Sequence, residues 1–262
     1  MKITDLHSDV LTANEAVKLQ SDGDERVVKA VFRGNLSFSA AFSLAKGEPL
    51  VALEDAGYAD LDEEKLASLS PVYVGLTWNG ENALACGCKC PEDGGLTPRG
   101  REFVRFLNRR KIAVDVAHLG EKGFREVMDL ADTVLDSHTG FYSFYPHPRN
   151  LKDWQLKALT DRKCLVGFTL CGYFSTNGRV FPIETAARHL LSFYDRFGGE
   201  FLAIGTDFYG CDFLPDGCRG YSWFPVFSEE LKKRGMPQAD IDKVFSGNAA
   251  DFLSSRNKIK NN

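Results

Sequence analysis

The feature that most constrains the fold is a regular alternation of short apolar segments with longer amphipathic ones. Segments such as IAVDVAH, CLVGFTL and FLAIGTD consist almost entirely of apolar and small residues, which is typical of parallel strands covered on both faces. Eight such strands are predicted, at Ile3–Val10, Leu36–Leu44, Leu50–Glu54, Val72–Trp78, Ile112–His118, Thr133–His138, Cys164–Leu170 and Phe201–Asp207. Eight strands with helical connections predict an α/β fold, the (β/α)8 or TIM barrel.

The segments between these strands predict helices. Thr97 and Pro98 provide an N-cap and a first-turn proline for a helix that ends near Arg110. Further helices are predicted at Glu121–Ala131, Leu151–Arg162, Ile183–Phe197, Phe227–Arg234 and Gln238–Ser254. The second strand is the weak point of this assignment, because only five residues separate Leu44 from Leu50 and a crossover helix needs more.

Length and charge restrict the domain count and the partners. With 262 residues the chain is close to the roughly 250 of one barrel, so residues 1–262 are expected to form a single domain. The net charge of −4 provides no basic surface for a phosphate backbone, so nucleic acid is not an expected partner. The sequence MKITDLHSDV lacks the apolar core of a signal peptide, and no apolar run is long enough to span a membrane. These features predict a cytoplasmic protein, away from membranes, in which the seven cysteines are reduced thiols.

Residues that can bind metal or transfer protons recur at the ends of the predicted strands. These residues are His7, Asp9, Glu54, His118, His138 and Asp207, and Trp78 closes the fourth strand instead. In TIM barrels the C-terminal ends of all strands face one mouth, where catalytic residues lie. Within its strand the His7-x-Asp9 spacing places both side chains on one side, where an imidazole and a carboxylate can bind the same zinc ion.

Other candidate residues are assigned to structure or left open. Asp115 and Asp136 lie inside their strands, where either can orient a histidine ligand or hydrogen-bond to the backbone. The cysteines of the C-x-C-x-C sequence, Cys86, Cys88 and Cys90, do not have the spacing usual for zinc, and we interpret them as loop thiols. His147 and His189 are interpreted as solvated or packing residues.

Several segments together resemble the renal (membrane) dipeptidase family of metallopeptidases. They run in order along the chain and are DLHSDVL, VALED, GLTWNGEN, GLTPRGREFVRFLNRRKIAVDVAHLG, LDSHTG, HPRNLKD, IGTDFYG and GNAADFL. This resemblance implies a (β/α)8 barrel of the metal-dependent hydrolase type that holds two zinc ions. It also implies hydrolysis of dipeptides with a free C-terminal carboxylate through a metal-bound hydroxide.

The resemblance assigns a role to each matching position. His7 and Asp9 would hold the first metal, Glu54 would bridge both, and His118 with His138 would hold the second. Asp207 would lie beside the attacking water as the catalytic acid and base. Arg149, in HPRN, would bind the substrate carboxylate, and Trp78 would contact the substrate.

Three departures from the family pattern affect the substrate range. Trp78 stands where many members have a histidine, and Tyr209 replaces the second aspartate of the usual DFDG. Only 45 positions separate Asp9 from Glu54, so the barrel is expected to be abbreviated in its N-terminal third. Two alternatives stay open: another amidohydrolase-type activity on a lactam, lactone or N-acyl amino acid, or a metal-binding protein with degraded catalysis. The sequence also leaves open whether the chain forms a homodimer.

Overall fold

The strands form a closed parallel barrel in chain order, β1 to β8, in the computed structural model. The structure describes residues 1–13, 19–20 and 23–260, without the side chains of 257–260. Within these residues the strands are β1 Ile3–Ser8, β2 Glu25–Phe32, β3 Val51–Glu54, β4 Tyr73–Gly75, β5 Ala113–Asp115, β6 Val134–Thr139, β7 Val166–Phe168 and β8 Leu202–Ile204. The predicted (β/α)8 fold is therefore confirmed.

Helices connect successive strands along most of the chain. They are α1 Phe38–Ala45, α2 Glu63–Ser68, α3 Pro98–Arg109, α4 Glu121–Leu130, α5 Asp153–Asp161, α6 Ile183–Phe197, α7 Phe224–Lys233, α8 Gln238–Asp242 and α9 Asn248–Lys260. Thr97 caps α3 as predicted, because its side chain accepts a hydrogen bond from the Gly100 N–H. In the described part of the chain no helix is both long and apolar enough to cross a membrane.

The predicted strand Leu36–Leu44 is wrong, because this segment forms helix α1. The Ser37 hydroxyl accepts the Ala40 N–H at the helix N-terminus, and the buried residues Phe38, Ala41 and Ala45 recur at helical spacing. The second strand is instead β2, which pairs in parallel with β3 from Lys29 opposite Val51 to Phe32 opposite Glu54. Helix α1 is thus the crossover that connects the parallel strands β2 and β3. The predicted strand at Leu36–Leu44 left no residues for this connection.

The other seven predicted strands lie where expected, and five of them are shorter at their C-terminal ends. Val72–Trp78, for example, reduces to β4 Tyr73–Gly75. Three polar residues beyond strand ends, Asp55, His118 and Asp207, adopt left-handed backbone conformations with φ of 59°, 67° and 60°. This conformation turns the chain out of the strand into the loop, and periodicity cannot reveal it. The predicted helix Gln238–Ser254 is likewise divided into α8 and α9 by a π-helical turn at Lys243–Gly247.

By its internal contacts the chain divides into two compact units. The first unit comprises Met1–Ser8, Ala13–Val27 and Ser137–Ser255, and the second comprises Asp9–Thr12, Val28–Asp136 and Arg256–Asn262. In the second unit α3 packs against α4 through buried apolar side chains. The first unit has an aromatic core in which the His189 ring lies against Phe141, Phe144 and Phe168.

A buried carboxylate joins β1 to the segments that follow β8 in the first unit. Asp5 accepts hydrogen bonds from the backbone N–H groups of His7 and Thr206, from the Thr206 hydroxyl and from the Tyr221 hydroxyl. Burial raises the pKa of Asp5, and these four hydrogen bonds oppose that rise. Because one of the donors is the His7 N–H, the network fixes the backbone that carries His7.

His189 is a packing residue, as the sequence analysis expected. Its ring is fully buried, its Nε2 accepts the Phe141 N–H at 2.8 Å, and its Nδ1 lies 2.8 Å from the Ser175 hydroxyl. Burial lowers the pKa of His189 to about 3 from 6.5. Below pH 6.5 the unfolded chain therefore binds a proton that the folded chain does not bind until about pH 3.

We therefore expect His189 to make the protein acid-sensitive. As the pH falls below 6.5, its contribution to the free energy of unfolding should decrease by about 1 kcal/mol per pH unit. His189→Gln should show a shallower pH dependence, measured by urea unfolding at pH 7.5, 6.5 and 5.5. Equal slopes for the wild type and the variant would contradict this assignment.

Candidate metal and active site

His7 and His138 form a stacked imidazole pair in the first unit. His7 lies on β1 and His138 on β6, and both side chains are buried. Their ring centroids are 3.8 Å apart with an interplanar angle of 27°. Each ring offers a nitrogen within 4.8 Å of one on the other ring, a separation that suits neighbouring ligands. The sequence therefore identified two histidines that the fold brings into contact, although 131 positions separate them.

The Ser137 hydroxyl lies beside both imidazoles. Its Oγ is 2.8 Å from His138 Nδ1 and 3.4 Å from His7 Nδ1. Gly205, directly after β8, lies close to the Ser137 backbone, because a Cβ at Gly205 would collide with the Ser137 carbonyl oxygen. Sequence reasoning missed Ser137, and its only signal was its position directly before His138.

Asp207 follows β8 and lies next to His7. Its N–H donates to the His7 carbonyl at 3.1 Å, and one of its carboxylate oxygens lies within 4.8 Å of a His7 ring nitrogen. The carboxylate is largely buried. Its left-handed backbone directs the chain away from the strand at this point. A largely buried carboxylate is therefore adjacent to a candidate metal ligand.

Arg149 is buried in the loop after β6. It donates from its guanidinium to the His138 carbonyl at 2.6 Å, and the guanidinium lies 5.7 Å from the centre of the Phe174 ring. The Arg149 N–H in turn donates to His147 Nδ1 at 3.2 Å. His147 therefore has a packing role in the turn that carries Arg149, in agreement with the sequence analysis.

Glu54 and His118 form a second pair, in the second unit. His118 Nε2 lies 2.9 Å from Glu54 Oε1, and both side chains are about 94% buried. The other ring nitrogen, Nδ1, lies 3.1 Å from Asn79 Oδ1. Asn79 therefore fixes the His118 ring with Nε2 toward the carboxylate. Sequence reasoning missed Asn79, although it follows Trp78 in the TWNGEN segment.

Trp78 is held at the edge of an open cavity by Asp55. The Asp55 carboxylate accepts hydrogen bonds from the Trp78 N–H, the Asn82 amide and the Tyr58 hydroxyl. The indole is 46% exposed, and its ring centroid lies 6.3 Å from that of His118. The cavity has a volume of about 390 Å³, and its lining includes Asp55, Tyr58, Trp78, Glu81 and Asn82. An exposed aromatic surface thus lies beside a candidate metal ligand.

The remaining acidic candidates have different surroundings. Asp9 is buried directly after β1, and its carbonyl accepts the Thr12 N–H. Asp115 accepts the Ala117 N–H at 3.0 Å, so one of its predicted roles, a backbone hydrogen bond, is observed. Asp136 is fully buried on β6.

The cysteines of the C-x-C-x-C loop form no disulfide. The same holds for all seven cysteines, each of which lies in the described part of the chain. Burial, together with the neighbouring Cys86 thiol, raises the pKa of Cys90 to about 11, which disfavours the thiolate that binds metals. Tyr209, at the position of the second aspartate of DFDG, accepts the Leu19 N–H with its hydroxyl at 3.2 Å.

The chemistry of these donors suits a divalent cation. Buried imidazoles and carboxylates are the nitrogen and oxygen ligands that zinc prefers. Metal-bound histidines usually engage their second ring nitrogen in a hydrogen bond, and Ser137 and Asn79 occupy the Nδ1 positions of His7, His138 and His118. The residues of each unit therefore fit a metal-binding role.

Comparisons of the sequence with known proteins indicate one family. The family profile described as membrane dipeptidase (peptidase family M19) matches residues 15–262. An uncharacterised protein from the pqqA 5′ region of Klebsiella pneumoniae is 31% identical over 182 residues, which are 65% of this chain and 67% of that protein. The dipeptidase tcpJ of Claviceps purpurea is 27% identical over 167 residues, which are 63% of this chain and 39% of the fungal protein.

Solved structures support the same fold. The metallopeptidase dipeptidase AC, of family M19, has a TM-score of 0.85 at 23% identity and covers 97% of this chain and 98% of its own. A metallopeptidase from Rhodobacter sphaeroides, liganded with a phosphinate mimic of the dipeptide L-Ala-D-Ala, has a TM-score of 0.83 at 21% identity, with 97% and 99% covered. The profile match begins after His7 and Asp9, so these two positions rest on the His-x-Asp motif and its place at the C-terminal end of β1. The chain belongs to the membrane dipeptidase family of metallopeptidases, peptidase family M19.

Proposed function

We propose that this chain is a metal-dependent dipeptidase that hydrolyses dipeptides with a free C-terminal carboxylate, with residues 1–262 acting as one domain. The observation that carries the proposal is the set of buried histidines at strand ends, each with Nδ1 next to a hydroxyl or amide oxygen, in a chain of this family. Because the strands of a parallel barrel end at one mouth, such residues can act on one substrate.

The proposed cofactor is a pair of divalent metal ions, with zinc favoured by the ligand types. His7 and Asp9 would hold the first ion, His118 and His138 the second, and Glu54 would contact both. The contact between Glu54 and His118 and the stacking of His7 on His138 support this assignment. When bound, two such ions supply a nucleophile from water at neutral pH and polarise the scissile carbonyl.

Asp207 is the proposed acid and base. Its carboxylate lies near His7, and therefore near the proposed first ion. In this position it would accept a proton from the attacking water and deliver it to the leaving amine, so that the amine departs neutral. The hydrogen bond from its N–H to the His7 carbonyl keeps the two residues in register.

Arg149 is the proposed binder of the substrate carboxylate. The guanidinium is buried, and its Nε has no hydrogen-bond partner among the residues that the structure describes. A buried donor without a partner is costly, and a bound carboxylate would satisfy it. Trp78, at the edge of its open cavity, would contact another part of the substrate.

Two related proteins support a dipeptide as the substrate class. The Claviceps purpurea relative is named a dipeptidase, and the Rhodobacter sphaeroides structure holds a dipeptide mimic. The competing reading is an amidohydrolase-type activity on a lactam, lactone or N-acyl amino acid. Assays of purified protein on a dipeptide library and on these three classes would separate the two readings.

The first prediction for this function concerns metal content. Purified protein reconstituted with zinc should bind close to two ions per chain, measured by elemental analysis after removal of excess metal. Glu54→Gln should weaken both sites together, because a neutral amide is a poorer bridging ligand than a carboxylate. Saturation of the wild type at one ion would remove the bridging role from Glu54.

The second prediction concerns proton transfer. Asp207→Asn should lower kcat by about 100-fold or more, because the amide cannot accept the proton. Metal content must be measured on the same samples, since Asp207 lies close to a proposed ligand. Turnover near the wild-type rate would assign proton transfer to another residue.

The third prediction concerns the substrate carboxylate. Arg149→Ala should lower kcat/KM for dipeptides by about 30- to 1000-fold, as expected for the loss of a buried charge-assisted contact. Arg149→Lys should restore only part of the loss, because an ammonium cannot form the planar fork. Dipeptides with an amidated C-terminus provide the control, since they should be poor substrates of the wild type and change little in the variant. Equal cleavage of free and amidated dipeptides by the wild type would rule out this role.

A further inference from the structure

We propose that Ser137 is a positioning residue shared by His7 and His138, and that it couples the two proposed metal sites. The inference rests on the proposed function, because it assumes that these histidines are ligands. It assigns a role to a buried hydroxyl in the LDSHTG segment to which the family resemblance assigned none.

The first step of the argument is geometric. Ser137 Oγ lies within hydrogen-bond distance of both Nδ1 atoms, at 2.8 Å for His138 and 3.4 Å for His7. The two rings are stacked, so a single oxygen at their shared edge can contact both. Ser137 itself is fully buried, so its contacts with the two rings are protected from water.

The second step counts protons. A serine hydroxyl has one proton and two lone pairs, so it can accept two hydrogen bonds but donate only one. The two Nδ1 atoms cannot both accept the hydroxyl proton. At least one imidazole must therefore present Nδ1–H to the oxygen, and Ser137 can accept Nδ1–H from both.

The third step connects this pattern to metal binding. A neutral imidazole with its proton on Nδ1 has its lone pair on Nε2, which is then the ligand atom. When Ser137 accepts from both rings, both Nε2 atoms are ready to bind a cation. Because His7 is the proposed ligand of the first ion and His138 of the second, one hydroxyl selects the tautomer of a ligand in each site.

The backbone around Ser137 explains why its position is precise. Gly205 approaches so closely that any side chain there would collide with the Ser137 carbonyl oxygen. Arg149 donates to the carbonyl of the next residue, His138. Contacts from two other segments therefore fix the backbone at Ser137 and His138, and the Oγ is held with it.

The test measures zinc binding, independently of catalysis. Metal-free wild type and Ser137→Ala are titrated with zinc against a chromophoric chelator. Because Ser137→Ala lacks the hydroxyl that orients both histidines, its affinity for each of the two zinc ions should fall by about 10- to 100-fold. Ser137→Thr keeps the hydroxyl and should restore most of the affinity. Ser228→Ala removes another fully buried serine, on α7, and should leave both affinities unchanged.

A spectroscopic readout separates positioning from general destabilisation. Long-range ¹H–¹⁵N spectra of the zinc-loaded wild type should show His7 and His138 in the Nδ1–H tautomer. In zinc-loaded Ser137→Ala the Nδ1 resonances of these two rings should shift, and those of His189 should not.

Three results would overturn the proposal. They are unchanged zinc affinity in Ser137→Ala, a loss confined to one ion, and a wild type that binds only one ion. Failure of the proposed function is distinguishable from these results. A wild type that binds two zinc ions but cleaves no dipeptide would remove the dipeptidase activity and leave the role of Ser137 intact.

Discussion

The hydrogen-bonded carboxylate of Asp5 is the constraint on which the geometry of the first unit depends. Its Oδ1 accepts both the His7 N–H on β1 and the Thr206 N–H after β8, and its Oδ2 accepts the hydroxyls of Thr206 and Tyr221. His7 is itself one of these donors and Asp207 directly follows Thr206, so their relative position follows from the Asp5 network. A charged carboxylate buried without such donors would cost several kcal/mol, so the donors offset the cost of burying Asp5 while they position His7 and Thr206.

Most of the barrel could be predicted because parallel strands covered on both faces leave a strong apolar pattern. The β2 and α1 region could not. In ERVVKAVF polar residues interrupt the apolar run. The helix FSAAFSLA is short and consists of small and apolar residues, so its sequence resembles that of a strand. Strand ends were overestimated for a different reason. β5 and β8 end three residues before His118 and Asp207, and the left-handed conformation of these two residues is not visible in a sequence of apolar residues.

The candidate site shows a similar division. His7, His138, Glu54, His118 and Asp207 carry chemistry in their side chains, so residue type and position near strand ends were sufficient to select them as candidates. Arg149 was selected by the HPRN segment. Ser137, Asn79 and Asp55 instead contact ring nitrogens or the Trp78 backbone. Serine, asparagine and aspartate are common in loops, so nothing in their identity distinguishes a positioning residue from an ordinary turn residue.

The close approach of Gly205 to the Ser137 carbonyl oxygen has a consequence for how such an enzyme can diversify. Any substitution at position 205 must first displace the backbone before His138, so this part of the barrel wall is closed to mutational exploration. The loop that carries Trp78 is different. The Trp78 side chain is half exposed beside an open cavity, so another side chain can replace it without repacking of the core. Evolution or design of new substrate preference would therefore proceed through the loops after the strands, with the strands themselves left unchanged.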